Sequence, residues 1–227
     1  AVAGVVEFTD INLVGTAGTS YTISFAITSP STAIAANNQP VTLNVGDPYK
    51  LAITQQPSNV VAGVTFAPAP TVQIQDEWNN PVGSVASSYA IKADLVNTDE
   101  TSVEDDTEAA VTVSGSNDTA TFSAITFGAR GDHKLRFTST GLITAVSEQF
   151  AIASADADHL VWENQGSLTV RNGYAVATAP KLKIVDAFGN PVTTGTTSVS
   201  VSVSSANSAK VDSIDASTAT NTTGSEF

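Results

Sequence analysis

Acidic side chains are the groups in this sequence with the clearest capacity for chemistry, and they fall into two sets. One set lies in a stretch between 94 and 108 that contains no Lys or Arg, and its candidate ligands are Asp99, Glu100, Asp105 and Asp106. The other set is spread along the chain and consists of Asp47, Asp156 and Asp158. Because Ca²⁺ prefers carboxylate oxygens, both sets are candidate calcium sites. For the first set, whose spacing matches no EF-hand, a solvated loop between strands is the competing interpretation.

Groups suited to catalysis or redox chemistry are few. The chain has no cysteine and only two histidines, His133 and His159. Neither histidine lies in a motif that would give a serine nucleophile its base, and we find no glycine-rich phosphate loop and no metal-binding histidine pair. We therefore expect no enzyme activity, no catalytic residues and no cofactor other than calcium.

Composition indicates where the protein works. The net charge of −13 opposes binding to nucleic acid and to anionic lipid. No run of about 18 apolar residues occurs, which predicts that nothing spans a membrane. Charged residues are sparse while Ser, Thr, Ala and Val abound, which we interpret as the surface of a secreted or cell-surface prokaryotic protein. The start at Ala1, without a signal-like segment, predicts a processed or excised piece.

Two parts of the chain share a beginning. Leu51 and Gln56 recur as Leu160 and Gln165, with the same offset along the chain. After a one-residue insertion the match continues in two longer runs: Pro70-Thr-Val-Gln-Ile-Gln-Asp-Glu-Trp-Asn-Asn-Pro-Val82 and Pro180-Lys-Leu-Lys-Ile-Val-Asp-Ala-Phe-Gly-Asn-Pro-Val192. Self-similarity at a fixed spacing predicts a repeat architecture.

Two other parts share an ending. The matched residues are Phe8, Ile11, Gly15 and Gly18 in one part and Phe122, Ile125, Gly128 and Gly131 in the other. Together the two matches predict three segments. The first segment, 1–46, is the closing half of one repeat; the central segment, 47–155, is a whole repeat; the third segment, 156–227, is the opening half of a further repeat.

The periodicity inside each segment is that of β-strands. Apolar residues alternate with polar ones at Tyr21, Ile23 and Phe25 and again at Leu135 and Phe137, where His133 falls at the position of Tyr21. This two-residue rhythm is typical of strands with one buried face, and Gly, Asn and Pro interrupt it at short intervals. About seven short strands in about 109 residues predict an all-β protein of tandem, antiparallel, immunoglobulin-like β-sandwiches.

The repeated run contains a turn with its own physical account. In Asp76-Glu-Trp-Asn-Asn-Pro-Val82 the Asp76 carboxylate can accept hydrogen bonds from backbone N–H groups just beyond it. Asn79 and its match Gly189 are residue types that tolerate positive φ. We expect the matched rings of Trp78 and Phe188 to pack over the end of a sheet.

This turn resembles the D-x-x-G-N-P-V turn of bacterial immunoglobulin-like repeats in invasin- and intimin-like surface proteins. The resemblance covers nearly the whole chain. It implies a sandwich fold and a place at the cell surface, and it does not imply a particular ligand.

Three functional hypotheses follow from the sequence. The leading one is a non-enzymatic stalk or spacer of a long, adhesin-like surface or secreted protein, in which each repeat contacts its neighbours and any glycan or cell-surface ligand binds outside this fragment. In that case Asp47, Asp156 and Asp158 would bind calcium at the junctions and stiffen the array. The second is a subunit of an extracellular filament or surface layer, in which copies complete each other's half domains head to tail. The third is a carbohydrate-binding sandwich, which would need exposed aromatic side chains on a platform. The two tryptophans, Trp78 and Trp162, match core-like positions instead.

Overall fold

The computed structural model describes residues 5–26, 37–103, 109–166, 169, 171, 173–174, 177–193, 196–201 and 219–222. Every regular element in these ranges is a β-strand, which confirms the all-β class. The described residues include no helix that could reach across a membrane.

Fifteen strands lie within the described ranges. In chain order they are β1 (Ser20–Phe25), β2 (Asn37–Thr42), β3 (Lys50–Gln55), β4 (Val60–Val61), β5 (Thr71–Gln75), β6 (Val85–Asn97), β7 (Ala109–Gly115), β8 (Thr119–Thr121), β9 (Gly131–Thr138), β10 (Ala145–Val146), β11 (Phe150–Ala153), β12 (His159–Asn164), β13 (Lys181–Val185), β14 (Thr196–Val199) and β15 (Ala219–Thr222). The central segment holds two sheets, one with the order β3-β5-β8 and one with the order β4-β11-β9-β6-β7, in which β10 also pairs with β9. The pairs β1-β2, β12-β13 and β14-β15 form separate two-stranded sheets.

Both sheets of the central segment contribute to one hydrophobic core. From the three-stranded sheet come Leu51, Val72 and Ile74, and from the larger sheet come residues such as Ile91 and Leu135. The alternation seen in the sequence explains this placement, because successive side chains of a strand point to opposite faces and one face of each sheet can be apolar throughout.

The described part of the central segment contains nine strands, against the seven or so expected. The excess comes from β4 and β10, which have two residues each and are too short to show any alternation. The expected loop between 94 and 108 also begins later than its acidic residues suggested, because β6 continues to Asn97. Buried Ala93 and Leu95 hold this part of β6 in the sheet and leave Asp94 between them on the outer face.

The sequence match between β3–β5 and β12–β13 extends to their backbone pairing. Leu51 lies opposite Ile74, and Leu160 lies opposite Ile184. An irregularity in the ladder falls at the same place in both pairs, after Ile53 in the one and after Trp162 in the other.

The hairpin β1–β2 likewise repeats the pairing of β9 with β11. Tyr21 lies opposite Val41, and its sequence match His133 lies opposite Phe150. The pairs β1–β2 and β12–β13 therefore have the backbone pairing of β9–β11 and β3–β5 in the central segment.

Candidate functional site: the joints between segments

The turn after β5 is organised by one carboxylate. Oδ1 of Asp76 accepts hydrogen bonds from the backbone N–H of Trp78 at 2.9 Å and of Asn80 at 2.8 Å. The Asp76 N–H donates in turn to the carbonyl of Asn80 at 3.0 Å. Asn79 has φ 70°, the left-handed conformation that Asn tolerates. The hydrogen bonds and the positive φ predicted for this turn are both confirmed.

The turn after β13 has the same geometry. Oδ1 of Asp186 accepts from the N–H of Phe188 at 2.9 Å and of Asn190 at 2.8 Å, and the Asp186 N–H donates to the Asn190 carbonyl at 3.0 Å. Gly189 has φ 81°. These three bonds have the same lengths as their counterparts in the turn after β5, so this geometry belongs to the shared motif.

The second oxygen of each Asp bonds to the strand connection that leads in from the preceding segment. Oδ2 of Asp76 accepts from the N–H of Gly46 at 3.0 Å, and Oδ2 of Asp186 accepts from the N–H of Ala155 at 2.9 Å. Gly46 and Ala155 end the first and central segments. Each Asp therefore ties the turn of its own segment to the last residue of the segment before it.

These carboxylates remain charged although they are buried. Burial of Asp76 and Asp186 by itself raises the pKa, because it removes water from the charged form. The opposing effect is larger: the side-chain amides of Asn80 and Asn190 and three backbone N–H groups at each site lower the pKa below the usual 3.8. Each carboxylate is thus a fully bonded anion held by neutral donors.

The Asn four residues after each Asp reaches into a loop of the preceding segment. Nδ2 of Asn80 donates to the Gly15 carbonyl at 3.2 Å, and its Oδ1 accepts from the N–H of Ala17 at 2.9 Å. The same Nδ2 group also donates to Oδ2 of Asp76 at 2.9 Å. A primary amide suits this position, because it offers a donor and an acceptor side by side to one backbone segment.

Asn190 makes the matching contacts at the second junction. Its Nδ2 donates to the Gly128 carbonyl at 2.7 Å, and its Oδ1 accepts from the N–H of Arg130 at 3.0 Å. We call the Asp–Asn pair with its bonds to the preceding segment the clasp: Asp76 and Asn80 form the first clasp, and Asp186 and Asn190 form the second.

Aromatic rings beside the clasps pack on glycines, and those under Phe188 lie close to strand ends: Gly63 follows β4 and Gly128 precedes β9. A Cβ placed on Gly128 would lie 2.7 Å from Cδ1 of Phe188, and one placed on Gly63 would lie 2.5 Å from its Cζ. At the first junction, Cζ3 of Trp78 would lie 3.1 Å from a Cβ on Gly46. At Gly63 and Gly128 a Cβ would force the Phe188 ring to move, whereas at Gly46 a shift of a few tenths of an ångström by Trp78 would accommodate it.

The second junction has further polar contacts from Arg130 and Ser154. The Arg130 guanidinium donates to the Pro191 carbonyl at 3.4 Å and to Oγ1 of Thr193 at 3.1 Å. The Ser154 hydroxyl donates to the same Pro191 carbonyl at 2.7 Å. These exposed bonds supplement the part-buried ones of the clasp.

The acidic residues proposed as calcium ligands after β6 have protein partners where the structure describes them. Asp99 accepts from both the N–H and the hydroxyl of Thr101, at 3.1 and 2.7 Å, and these bonds lower its pKa. Glu100 forms an ion pair with Lys134 at 3.2 Å. Asp105 and Asp106 lie outside the described residues. The tertiary structure thus brings a cation from β9 to a stretch that has none in sequence.

The other proposed ligands lie on the surface near the junctions. Asp47, Asp156 and Asp158 are exposed, and Asp158 bonds to the ring of His159 at 2.8 Å. Within the described residues, no three acidic or histidine side chains come close enough together to bind a metal. Calcium binding by these residues stays a prediction.

The histidines occupy unlike environments. His133 lies on β9, as its match to Tyr21 predicted, and it is buried. Among the described residues neither of its ring nitrogens has a hydrogen-bond partner. His159 is exposed on β12.

A cleft of about 730 Å³ opens beside the second clasp. It is lined by Arg130 and Asn190, by Asp132 of β9 and by residues of β11. No aromatic side chain belongs to its described lining, so the cleft lacks the stacking platform on which the carbohydrate-binding hypothesis depends. The expectation of core-like positions for Trp78 and Trp162 is wrong, because the two side chains are 45% and 55% exposed and lie outside this cleft.

Sequence reasoning identified the turn but missed its contacts across the junction. The repeat matches Gly15 with Gly128 and Asn80 with Asn190, yet nothing in these matches links the two pairs. The signal available in the sequence was that the Gly and the Asn both recur, one pair at each junction. No family model matches the chain, and no curated protein matches it in sequence.

Proposed function

We propose that the chain is a non-enzymatic stalk or spacer segment of a long extracellular or cell-surface protein, built from tandem immunoglobulin-like β-sandwiches. The observation that carries the proposal is the pair of clasps. The two junctions have the same four-way bonding of Asp and the same two bonds from Asn. Only the bond from the Asn amide to the Gly carbonyl differs clearly in length, 3.2 Å at the first junction and 2.7 Å at the second. A joint made twice in the same way is what an array needs in order to propagate one orientation from unit to unit.

The chemistry of the clasp fits a joint that holds one orientation. Each clasp binds backbone N–H and C=O groups on two different loops of the preceding segment, so rotation about the connection breaks several bonds together. Asp76 and Asp186 are buried, as is Asn80, and hydrogen bonds to a buried anion are stronger than those between neutral groups. The joint is therefore held by directional contacts, and the unit is expected to add length while contacting only its neighbours.

The negative charge and hydroxyl-rich composition support the extracellular setting. With 22 acidic against nine basic residues, the surface repels nucleic acid and anionic lipid alike. Proteinase treatment of intact source cells, followed by an antibody against this chain, tests that setting. We expect the chain to be digested without lysis; full protection until the cells are opened would contradict a surface location.

Electron microscopy of the native protein tests the spacer role. We expect thin, unbranched rods that keep their direction across successive units, and a variant carrying Asn80→Ala and Asn190→Ala should bend at the joints. Asn117→Ala is the matched control, because Asn117 also bonds backbone groups but only those of Thr119 in its own turn. Compact particles, or equally straight rods from the clasp variant, would contradict the proposal.

A further inference from the structure

The turn between β7 and β8 contains a sequence motif that the spacer function does not use. Asn117-Asp118-Thr119 has the form Asn-x-Ser/Thr, with a residue other than proline in the middle. This triplet is the acceptor sequence for N-linked glycosylation, a modification of surface loops in secreted proteins. The only other such triplet in the sequence begins at Asn221.

The middle residue of the triplet anchors the turn and leaves Asn117 outside. Asp118 is 8% exposed, its Oδ2 accepts a hydrogen bond from the Gly83 N–H at 2.9 Å, and its carbonyl accepts from the Ile74 N–H at 2.8 Å. Asn117 itself is exposed. The buried residue therefore fixes the position of the turn while the acceptor side chain stays at the surface, within reach of an enzyme.

The hydrogen bonds of Asn117 leave room for a substituent on its amide nitrogen. Its Oδ1 accepts from the Thr119 N–H at 3.0 Å, and its Nδ2 donates to the Thr119 carbonyl at 3.0 Å. A primary amide has two N–H bonds, and the described partners of Asn117 use only one of them. The other N–H can be replaced by a bond to a sugar while the first keeps its contact, so the folded turn accepts a glycan without rearrangement.

The second triplet lies on the strand of the third segment that corresponds to β7. Val113 of β7 lies opposite Tyr89 of β6. Ala219 of β15 lies opposite Val199 of β14, which the repeat matches with Tyr89. The triplet that begins at Asn221 is therefore close to the end of this strand, and the first triplet directly follows the end of β7. Two successive segments thus have the motif at nearly the same place in the fold.

We propose that Asn117 carries an N-linked glycan. The donor is an oligosaccharide joined through its C1 atom to a polyprenyl phosphate carrier, and a transferase of the source cell brings it to the triplet. Nδ2 of Asn117 attacks C1 and forms the N–C bond, while the bond from C1 to the phosphate oxygen breaks. The lipid phosphate leaves with that electron pair, and the amide releases one proton. This inference rests on the extracellular setting of the proposed function, because the motif is read on secreted chains.

The glycan also protects an exposed strand edge. β7 is the last strand in the order β4-β11-β9-β6-β7, and no charged residue occurs between Ala109 and Gly115. An uncharged edge of this kind invites pairing with strands of other chains, and proteins guard such edges with charge or by covering them. A hydrated glycan just beyond Gly115 hinders the approach of a second strand.

Mass spectrometry of the native protein tests the site without any variant. Trypsin releases residues 93–130 as one peptide, because this range contains no Lys or Arg before its last residue. We expect the peptide to be heavier than its sequence by whole sugar residues, with fragment ions that place them on Asn117. Asn97 in the same peptide is the internal control, because Asp99 stands where the triplet needs Ser or Thr. An unmodified peptide, or sugar on other residues only, would overturn the inference.

Variants expressed in the source cell distinguish a sugar on the amide from one on the hydroxyl. Asn117→Gln and Thr119→Ala should each lose the added mass, whereas Thr119→Ser should keep it, because serine retains the hydroxyl that the triplet requires. Added mass that persists in Asn117→Gln would contradict the proposal. Light scattering measures the edge protection: Asn117→Gln should associate at concentrations at which Thr119→Ser does not, and equal association would show that the glycan does not guard β7.

Proteinase digestion of intact cells separates this inference from the proposed function. If the native peptide is unmodified while the intact cells still lose the chain to proteinase, the extracellular setting stands and only the glycan is wrong. If the peptide is unmodified and the chain is fully protected, the setting fails together with the glycan.

Discussion

The clasp makes a quantitative prediction for Asp76→Asn, a substitution that keeps the shape of the side chain and removes its charge. Oδ1 of Asp76 accepts from the N–H groups of Trp78 and Asn80, and Oδ2 accepts from the Gly46 N–H and the Asn80 amide. An asparagine amide would point two N–H bonds at two donors. Flipping the amide to exchange its oxygen and nitrogen only transfers the conflict to the other pair.

The magnitude follows from those contacts. Two hydrogen bonds to a charged acceptor are lost in either orientation, at about 1.5–3 kcal/mol each, which predicts a loss of about 3–6 kcal/mol. The Asp76 side chain is 1% exposed, so water cannot replace the missing partners. Because a domain of this size is stable by about 5–15 kcal/mol, the variant should unfold much more readily.

Urea unfolding of the intact chain measures this loss. With Trp162→Phe in the background, Trp78 is the single tryptophan and reports from within the turn. The matched control is Glu77→Gln, which makes the same charge change at the exposed neighbouring position. If the free energies of unfolding of the two variants differ by less than about 1 kcal/mol, the assignment of the loss to the Asp76 hydrogen bonds is refuted.

Three further predictions concern pH, the joint and the core. The pKa values of Asp76 and Asp186 are lower in the folded chain than the unfolded value of 3.8, so their contribution to the free energy of unfolding is complete above pH 3.8 and is lost as pH falls through the lowered values. Urea midpoints should therefore fall in that pH range, and they should fall less steeply in the variant with Asn at both positions. Gly128→Ala should loosen the second joint, because the added Cβ displaces Phe188. Hydrogen exchange should then be faster at the Arg130 N–H and unchanged in β6 and β9, and adding Phe188→Ala to the same chain should restore the protection of the Arg130 N–H. His133→Leu should stabilise the central segment by about 1–3 kcal/mol in thermal unfolding, because it removes two buried nitrogens that have no hydrogen-bond partner among the described residues; a lower melting temperature would show that those nitrogens are bonded.

Much of the fold could be predicted from the sequence, because strand formation leaves a local pattern. Leu135 and Phe137 alternate with polar residues since one face of β9 is buried. The two-residue strands β4 and β10 leave no such pattern, and only pairing with β11 and β9 defines them. The charge of Asp94 favours a loop when its acidic neighbours are considered alone. The structure shows it on the outer face of β6, 3.5 Å from Arg136.

The candidate site divides in the same way. The turn was determined by the sequence itself, since Asp76 bonds to N–H groups two and four residues further on and Asn79 tolerates the required φ. The partners of the second Asp76 oxygen, Oδ2, and of the Asn80 amide follow only from the tertiary structure. Their partners are backbone N–H and C=O groups at Gly46, Gly15 and Ala17, and every residue except proline carries both groups. A hydrogen bond to a backbone group does not depend on which residue carries that group, so the sequence does not indicate the partner. The joint could therefore be found only in the three-dimensional structure.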